Sequence, residues 1–366
     1  MILIAAGEVR GATVIRSLQP LHELAMETDN SFAAIAYARD DRYEYLATPA
    51  GLYRATRLAS GALELIAFPG ESVNAVAVDA DGDLYVGRGL PFFAVWPQKT
   101  LLRSRDRGAT FEAIGEGLHD CIVETECGYL VPDQISFAPG RLFVSAGGNV
   151  LVSTDEGANW TILLGASADG KPASQLCPVT YERLGERLLL GGECPLDFAY
   201  IRGGTLRPDL LGWAAEPRDV ITPELENRNV QFIRDFGNGV VYAGVEGGLL
   251  KSTDGGISFR FVLFHPIVEE TDRYPYLTHL VRSSEHPSLL VVSGFDKKNL
   301  VGYLAYSPDN GESWTDLSPL VAPSTNVAFV AEDADGRLLV GMQDEGKLKL
   351  AELVPTDAKK RRSVRR

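Results

Sequence analysis

An eight-residue pattern recurs four times in this chain, and its spacing limits the folds open to the sequence. Each copy reads Ser-x-Asp-x-Gly-x-x-aromatic, and the first serines are 49, 99 and 55 residues apart. The middle gap spans two periods, so one copy has decayed, near residues 200–204. A period of about 40 to 50 residues with strand patterning is typical of β-propeller blades. The copies are Ser104, Asp106, Gly108, Phe111; Ser153, Asp155, Gly157, Trp160; Ser252, Asp254, Gly256, Phe259; and Ser307, Asp309, Gly311, Trp314.

The pattern resembles the Asp-box, also called the BNR repeat. In that family the box is the hairpin turn between the third and fourth strands of a propeller blade. The chemistry agrees, because short Asp and Ser side chains bond the main chain of their own turn and Gly permits a positive φ. The trailing aromatic ring can pack between blades. We therefore assign all sixteen residues structural rather than catalytic roles.

A second repeat gives the blade count. Seven segments each read as an apolar strand, a tight turn and another apolar strand, which predicts an all-β, seven-bladed propeller. The first strands are residues 32–38, 73–78, 134–138, 178–181, 230–233, 279–281 and 327–331. We expect one domain over residues 1–355, with the N-terminal strand closing the last blade, and a disordered tail over residues 356–366. The N-terminal stretch, which starts with residues 2–6, is long enough for two or three strands, so eight blades remain an alternative.

The long connections lie on one predicted face, the one opposite the Asp-box turns. A rigid scaffold that presents long loops commonly binds there, so we expect a partner on this face. One of these loops carries Phe92, Phe93 and Trp96, which would either contact a ligand or fold onto the neighbouring blade.

Polar side chains also stand at the start of several inner strands, where they would face the mouth of the central channel. A ring of such groups could bind a small polar ligand, or could line a channel filled with water. The residues are Asn74, Asp133, Gln231, His279 and Asn326.

The four cysteines leave three alternatives open: free thiols, two disulfides, or a metal site shared by neighbouring blades. Neither close pair has the short spacing of a zinc knuckle, so we predict no metal and no cofactor. The cysteines are Cys121, Cys127, Cys177 and Cys194.

Catalysis has little support in the sequence, although the Asp-box family includes sialidases and other glycoside hydrolases. The sialidase Phe/Tyr-Arg-Ile-Pro motif is absent around Arg10 and Arg16, and none of the five histidines stands at a triad or metal-site spacing. Glycosidase chemistry would need a carboxylate pair. The candidates for such a pair are Asp133, Glu193, Asp197, Glu224 and Asp296.

The chain is therefore more similar to the non-catalytic branch of these propellers, which includes photosystem-assembly factors and sorting-receptor ectodomains. That resemblance implies a binding or scaffold module that engages a protein partner. A carbohydrate-active propeller, either a hydrolase or a lectin, is the alternative.

Charge separates the body of the chain from its end. The net charge is −14, and the last eight residues, which begin at Lys359 and end at Arg366, carry six positive charges. An acidic body argues against a broad nucleic-acid surface. The basic tail would instead contact an acidic partner, an anionic membrane or RNA, fold back on the acidic body, or simply aid solubility. The N-terminus lacks signal-peptide features and no apolar run is long enough to span a bilayer, so we expect a cytoplasmic protein.

Overall fold

The computed structural model describes residues 13–25, 35–89, 95–123, 126–163, 178–193, 199–215, 217–223, 225, 228–266, 274–296, 301–321, 324, 326–344 and 346–357. These residues form a seven-bladed β-propeller in which each blade is a four-stranded antiparallel sheet. The predicted fold class is confirmed. No helix in the described ranges is long and apolar enough to cross a membrane.

The strands of each blade are named A to D from the axis outward. The described part of the chain begins with β1 (Thr13–Ala25). Blade 1 contains β2 (Ala36–Arg39), β3 (Glu44–Thr48), β4 (Gly51–Ala55) and β5 (Glu64–Ala67). Blade 2 contains β6 (Val73–Val78), β7 (Leu84–Arg88) and, after the short β8 (Val95–Trp96), β9 (Leu101–Ser104) and β10 (Glu112–Ile114). A 3₁₀ helix (Glu116–Leu118), β11 (His119–Val123) and β12 (Glu126–Leu130) lead to blade 3.

The next four blades follow the same plan. Blade 3 contains β13 (Pro132–Ala138), β14 (Arg141–Ala146), β15 (Asn149–Ser153) and β16 (Thr161–Ile162). Blade 4 contains β17 (Pro178–Leu184), β18 (Arg187–Glu193), β19 (Ala199–Thr205) and β20 (Arg218–Asp219). Blade 5 contains β21 (Val230–Asp235), β22 (Val241–Val245), β23 (Gly248–Ser252) and β24 (Arg260–Phe264). Blade 6 contains β25 (Pro275–Arg282), β26 (Leu290–Asp296), β27 (Val301–Ser307) and β28 (Thr315–Asp316).

Blade 7 joins the two ends of the chain. The short helix α1 (Ser318–Val321) precedes β29 (Asn326–Glu332), β30 (Leu338–Asp344) and β31 (Lys347–Asp357). The fourth strand is β1, which pairs antiparallel with β31, with Val14 opposite Thr356 and Ala25 opposite Lys347. Since β1 completes blade 7, the eight-bladed alternative is wrong. Residues 2–6, which prompted it, lie outside the described residues.

Apolar packing is divided among the blade interfaces. Each of the seven contacts between neighbouring blades holds one cluster of buried side chains. Between blades 1 and 2, for example, Tyr45 and Leu52 pack against Val73 and Leu84, all fully buried. Burying one such side chain contributes about 1.5–3 kcal/mol. Blade-to-blade contact, rather than one central core, therefore stabilises the ring.

The inner strands share a β-bulge. In six of the seven blades the A–B register shifts by one residue near the start of strand A. In blade 5 the shift falls between Val230 and Phe232, and the Phe232 ring then lies over Gly244 of strand B. A Cβ atom at Gly244 would overlap that ring, so only glycine fits there.

The four Ser-x-Asp-x-Gly segments are the C–D turns of blades 2, 3, 5 and 6, and they share one hydrogen-bond pattern. In blade 6 the Ser307 hydroxyl accepts the Gly311 N–H at 2.7 Å and donates to Asp309 Oδ1 at 2.8 Å. Asp309 Oδ1 also accepts the Ser313 N–H at 2.8 Å. The other three turns repeat these bonds.

The aromatic residue that ends each turn packs at the interface with the preceding blade. Phe111 lies against blade 1, Trp160 against blade 2, Phe259 against blade 4 and Trp314 against blade 5. Each pattern therefore orders its own turn and also ties two blades together.

Blade 4 lacks the pattern. Residues 200–204, near which the decayed copy was expected, form most of strand β19, and Gly204 pairs with Leu188 of β18 at the position that the serine holds in the other four blades. The C–D connection follows them, where Leu206 bridges to Trp213. The Trp213 ring packs between blades 3 and 4, so the aromatic residue persists without the Ser-Asp-Gly turn.

Candidate functional site

The D–A and B–C connections lie on one face, here called the long-loop face, and the A–B and C–D turns lie on the other, the turn face. The connections before and after β9 and β10 build an accessory sheet of β8, β11 and β12 on the long-loop face. Trp96, in β8, is half-buried, and its ring lies against Gly89, as does the side chain of Val131. Phe92 and Phe93 lie outside the described residues, so the proposed ligand contact of this loop stays a prediction.

The five polar residues expected at the channel mouth do not form one ring. Asn74 is buried and donates to the Pro132 carbonyl and to Asp133 Oδ1. Asn326 is buried and donates to Gln343 at 2.8 Å, within its own blade. Gln231 is half-buried at the bulge of β21. Only Asp133 and His279 line the axial cavity.

That cavity runs along the propeller axis and has a volume of about 400 Å³. All seven inner strands contribute to its wall. Three charged residues line it, namely Asp133 from blade 3, Glu182 from blade 4 and Arg234 from blade 5. Glu182 Oε2 lies 3.9 Å from Arg234 Nη1, longer than a hydrogen bond. This pair was not predicted from the sequence.

Burial dominates the electrostatics of the cavity. It raises the pKa of Glu182 to about 7, against the opposing charge of Arg234. It also lowers the pKa of His279 to about 4, and the charge of Arg234 adds to that shift. At neutral pH His279 is therefore uncharged, while Glu182 is poised between its two protonation states.

A second feature, here called the aromatic cluster, lies on the long-loop face between blades 5 and 6. Arg228 is buried and bonds the main-chain oxygens of Glu246 and His265. Its guanidinium group lies 4.6 Å from the ring centroid of Phe264 and 5.4 Å from that of Phe261. The side chain of Phe264 is 54% exposed. The cation–π contact with Arg228 thus orders the Phe264 ring in a position where it is exposed to solvent.

Three further rings continue the aromatic cluster. Tyr274 stacks on Tyr276 at 5.7 Å, and Tyr276 stacks on Phe295 at 5.0 Å, with only 6° between the latter two planes. The Tyr274 hydroxyl contacts Glu246, and Gly247 donates to the Pro275 carbonyl, which joins this stack to the ring pair of blade 5. The length of these connections was predicted from the sequence, but the contact between their aromatic residues was not.

A pocket of about 320 Å³ on the turn face is lined by Arg42, Arg54, Arg105 and Arg107. Carboxylates already neutralise most of this charge. Arg54 pairs with Glu64, Arg105 with three acidic residues, and Arg107 with Asp40 and Asp41. This pocket is therefore an ion-pair network between blades 1 and 2 rather than an open anion site.

Several residues that were predicted to be functional lie outside the described residues. Cys177, Cys194, Asp197, Glu224 and the basic tail are outside the described residues, as are the side chains of Cys121, Cys127 and Glu193. The main chain of Cys121 stands opposite that of Cys127 in the β11–β12 pair. Within the described ranges, no three His, Cys, Asp or Glu side chains are placed to hold a metal ion.

No protein-family model and no curated protein sequence matches this chain. Solved propellers do match its fold. "YCF48 bound to D1 peptide" has a TM-score of 0.57 and 16% identity, covering 93% of this chain and 100% of that one. The WD40 propeller domain of Doa1 has a TM-score of 0.58 and 10% identity, covering 92% of this chain and 96% of that one.

The GH74 xyloglucanase from Xanthomonas campestris has a TM-score of 0.56 and 16% identity, and the match covers 88% of this chain but only 52% of the enzyme. Identities this low show similarity of fold alone. The chain is a β-propeller, and the similar structures include one bound to a peptide and one xyloglucanase.

Proposed function

We propose that this propeller is a non-catalytic scaffold that binds a protein partner through the aromatic cluster of its long-loop face. The observation that carries the proposal is Phe264, an exposed ring held in place by the buried cation of Arg228. Aromatic and arginine side chains supply most of the energy at protein interfaces, where they act as rigid central anchors. Here both kinds of anchor are adjacent and already ordered.

Pre-organisation strengthens the argument. Arg228 makes its hydrogen bonds to main-chain oxygens of two different connections, so its side chain loses little freedom when a partner arrives. The stacked rings of Tyr276 and Phe295 extend the apolar surface across to blade 6. A partner that covers Phe264 would remove apolar area from water, at about 25 cal/mol per Å².

Three more specific assignments are part of this proposal. We infer that the four C–D turns are Asp-boxes, that residues 1–355 form one domain and that the basic tail contacts an acidic partner. The cytoplasmic location stays a prediction. One similar structure is YCF48 bound to a peptide, which supports partner binding by this fold. The similarity to a xyloglucanase supports the alternative of a carbohydrate-active propeller.

A pair of variants within blade 5 tests the proposal. Phe264→Ser removes the exposed ring, and Ile257→Ser is its matched control, because Ile257 is also 54% exposed but lies in the C–D turn on the opposite face. Both proteins should keep the wild-type melting temperature. We expect the wild type and Ile257→Ser to retain the same stoichiometric partner from native lysate, and Phe264→Ser to lose it.

Equal retention by Phe264→Ser and Ile257→Ser would place the interface elsewhere. If no protein is retained by the wild type, a glycan-binding and hydrolysis screen decides for the carbohydrate alternative. A positive screen whose signal Phe264→Ser abolishes would assign the aromatic cluster to a sugar instead of a protein.

A further inference from the structure

The axial cavity contains one cation whose hydrogen-bonding capacity is largely unused. The guanidinium group of Arg234 donates to the carbonyl oxygen of its neighbour Ile233 at 3.1 Å. Its contact with Glu182 is 3.9 Å, and 44% of its side chain is exposed. Within the described residues no other acceptor bonds this group. We propose that the axial cavity binds a small organic monocarboxylate, with Arg234 as its anchor.

The shape and chemistry of the cavity match that ligand class. A guanidinium group presents parallel N–H donors that fit a carboxylate in two bonds, more specifically than an ammonium group does. Ala36, Ala75 and Ala331 leave space near the axis, while Leu280 and Phe329 offer apolar surface to the carbon part of an acid. The volume of about 400 Å³ falls in the usual range for small-molecule sites.

Three other polar residues of the wall are bonded to neighbouring strands, whereas the buried Tyr37 hydroxyl has no hydrogen-bond partner among the described residues. Gln134 donates to the Tyr181 carbonyl at 2.9 Å, and Ser136 bonds the Tyr181 hydroxyl at 2.8 Å. Asp133 accepts from Asn74 at the bulge that begins β13. Because Asp133 places a negative charge nearer the long-loop end, a second carboxylate on the ligand would be repelled.

Glu182 balances the charge of the incoming anion. The ligand carboxylate would replace Glu182 beside Arg234, and Glu182 would take one proton from solvent, so that no net charge enters the cavity. The charged groups that act on Glu182 are Arg234, Asp235 and Arg183. Asp133, His279 and Tyr37 are the other titratable residues of the wall. Because burial already raises the pKa of Glu182 to about 7, protonating this group near neutral pH requires little free energy.

Titration calorimetry with the full-length protein tests the site, using acetate, propionate and benzoate as probes and acetamide as the uncharged control. Above the pKa of Glu182, where this group starts ionised, we expect at least one acid to bind with uptake of about one proton, and acetamide not to bind. Above the pKa of Glu182, affinity should weaken about tenfold per pH unit. Arg234→Met should abolish binding. Arg202→Met is the matched control, since Arg202 is a half-exposed strand arginine paired with Asp219 on an outer strand.

Two further variants test the proton uptake by Glu182 and the paired donors of Arg234 separately. Glu182→Gln should bind the same acid without proton uptake and without pH dependence. Arg234→Lys keeps the charge but loses the paired donors, so it should bind at least tenfold more weakly even if Arg234→Met fails to fold. Absence of binding for all three acids in the wild type, or binding that Arg234→Lys leaves unchanged, would overturn the proposal.

Discussion

One serine hydroxyl organises each Ser-x-Asp-x-Gly turn. Ser307 is fully buried, and its oxygen is the acceptor for the buried Gly311 N–H. Gly311 has a φ of 91°, so it cannot be replaced without strain. The turn therefore depends on a polar contact that water cannot replace.

We expect Ser307→Ala to lower the free energy of unfolding by about 1–3 kcal/mol, since it leaves the Gly311 N–H buried without an acceptor. Ser313→Ala is the matched control, because Ser313 is an exposed member of the same turn. Urea denaturation followed by tryptophan fluorescence measures both. A loss in Ser313→Ala as large as that in Ser307→Ala would contradict this account of the turn.

The turn aspartates add a pH dependence. The side-chain hydrogen bond from Thr110 is the largest of the contacts that lower the pKa of Asp106 to about 2. Bonds from Ser258 and Asn159 likewise lower the pKa values of Asp254 and Asp155. A lowered pKa in the folded state stabilises the fold above the ordinary value of 3.8, and this stabilisation is lost as the pH falls towards the folded-state pKa.

At the scale of strands, β1 determines whether the ring closes. It supplies the outer strand of blade 7 and covers the edge of β31, which would otherwise expose unpaired main-chain groups. Ile15 is its anchor, 2% exposed and packed with Leu317, Val321 and Leu353. The two ends of the chain thus stabilise each other within one sheet.

Ile15→Ala should destabilise the propeller by about 2–4 kcal/mol, because it leaves a cavity where blades 6 and 7 meet. Arg16→Ala, at the exposed neighbouring position of the same strand, should change stability little. Thermal melting combined with hydrogen exchange locates the effect, and the amides of β31 should lose the most protection in Ile15→Ala. If β31 stays as protected as in the wild type, β1 does not control closure.

The turns and inner strands could be predicted from the sequence because their signals are local. The Ser-x-Asp-x-Gly pattern occupies eight residues, and the segment at residues 73–78 coincides with β6. The aromatic cluster could not be predicted in this way. Arg228, Phe264 and Phe295 belong to different blades or connections, and only the packing of blade 5 against blade 6 brings them together.

The channel residues show a different limit. Asn74, Asp133 and Gln231 were predicted to face the mouth of the channel because they are polar residues at the start of an inner strand. In the structure they are the bulge residues of their blades, and the bulge turns Asn74 towards the neighbouring main chain. A one-residue shift in register changes which side chains face the axis. The alternation of polar and apolar residues does not reveal that shift.

At the scale of the whole molecule, the seven inner strands surround one axial cavity, and Glu182 and His279 are two ionisable groups of its wall. Glu182 and His279 respond to pH in opposite directions. His279 has a folded-state pKa of about 4 against an ordinary 6.5, so the unfolded chain takes up its proton first as the pH falls. Its contribution to stability therefore decreases from about pH 6.5 down to about pH 4.

Glu182 has a folded-state pKa of about 7 against an ordinary 4.5, so the folded chain keeps its proton longer as the pH rises. Its contribution to stability is present below about pH 4.5 and is lost as the pH rises through about 7. In the wild type the two effects partly cancel between about pH 4.5 and 6.5, which leaves a shallow pH profile in that window.

Single variants should separate the two slopes. Relative to the wild type, the free energy of unfolding of Glu182→Gln should rise with pH between about 4.5 and 7, whereas that of His279→Gln should fall with pH between about 4 and 6.5, each slope approaching about 1.4 kcal/mol per pH unit. Urea titrations across this range measure the difference from the wild type, in which the contributions of all other groups cancel. Glu186→Gln, an exposed change in the same A–B hairpin as Glu182, is the control and should reproduce the wild-type profile. Parallel profiles for Glu182→Gln and His279→Gln would mean that the axial cavity does not shift the pKa values of these two groups. The proton uptake proposed for carboxylate binding would then lose its basis. The anchoring of the carboxylate by Arg234 would still be tested by Arg234→Lys.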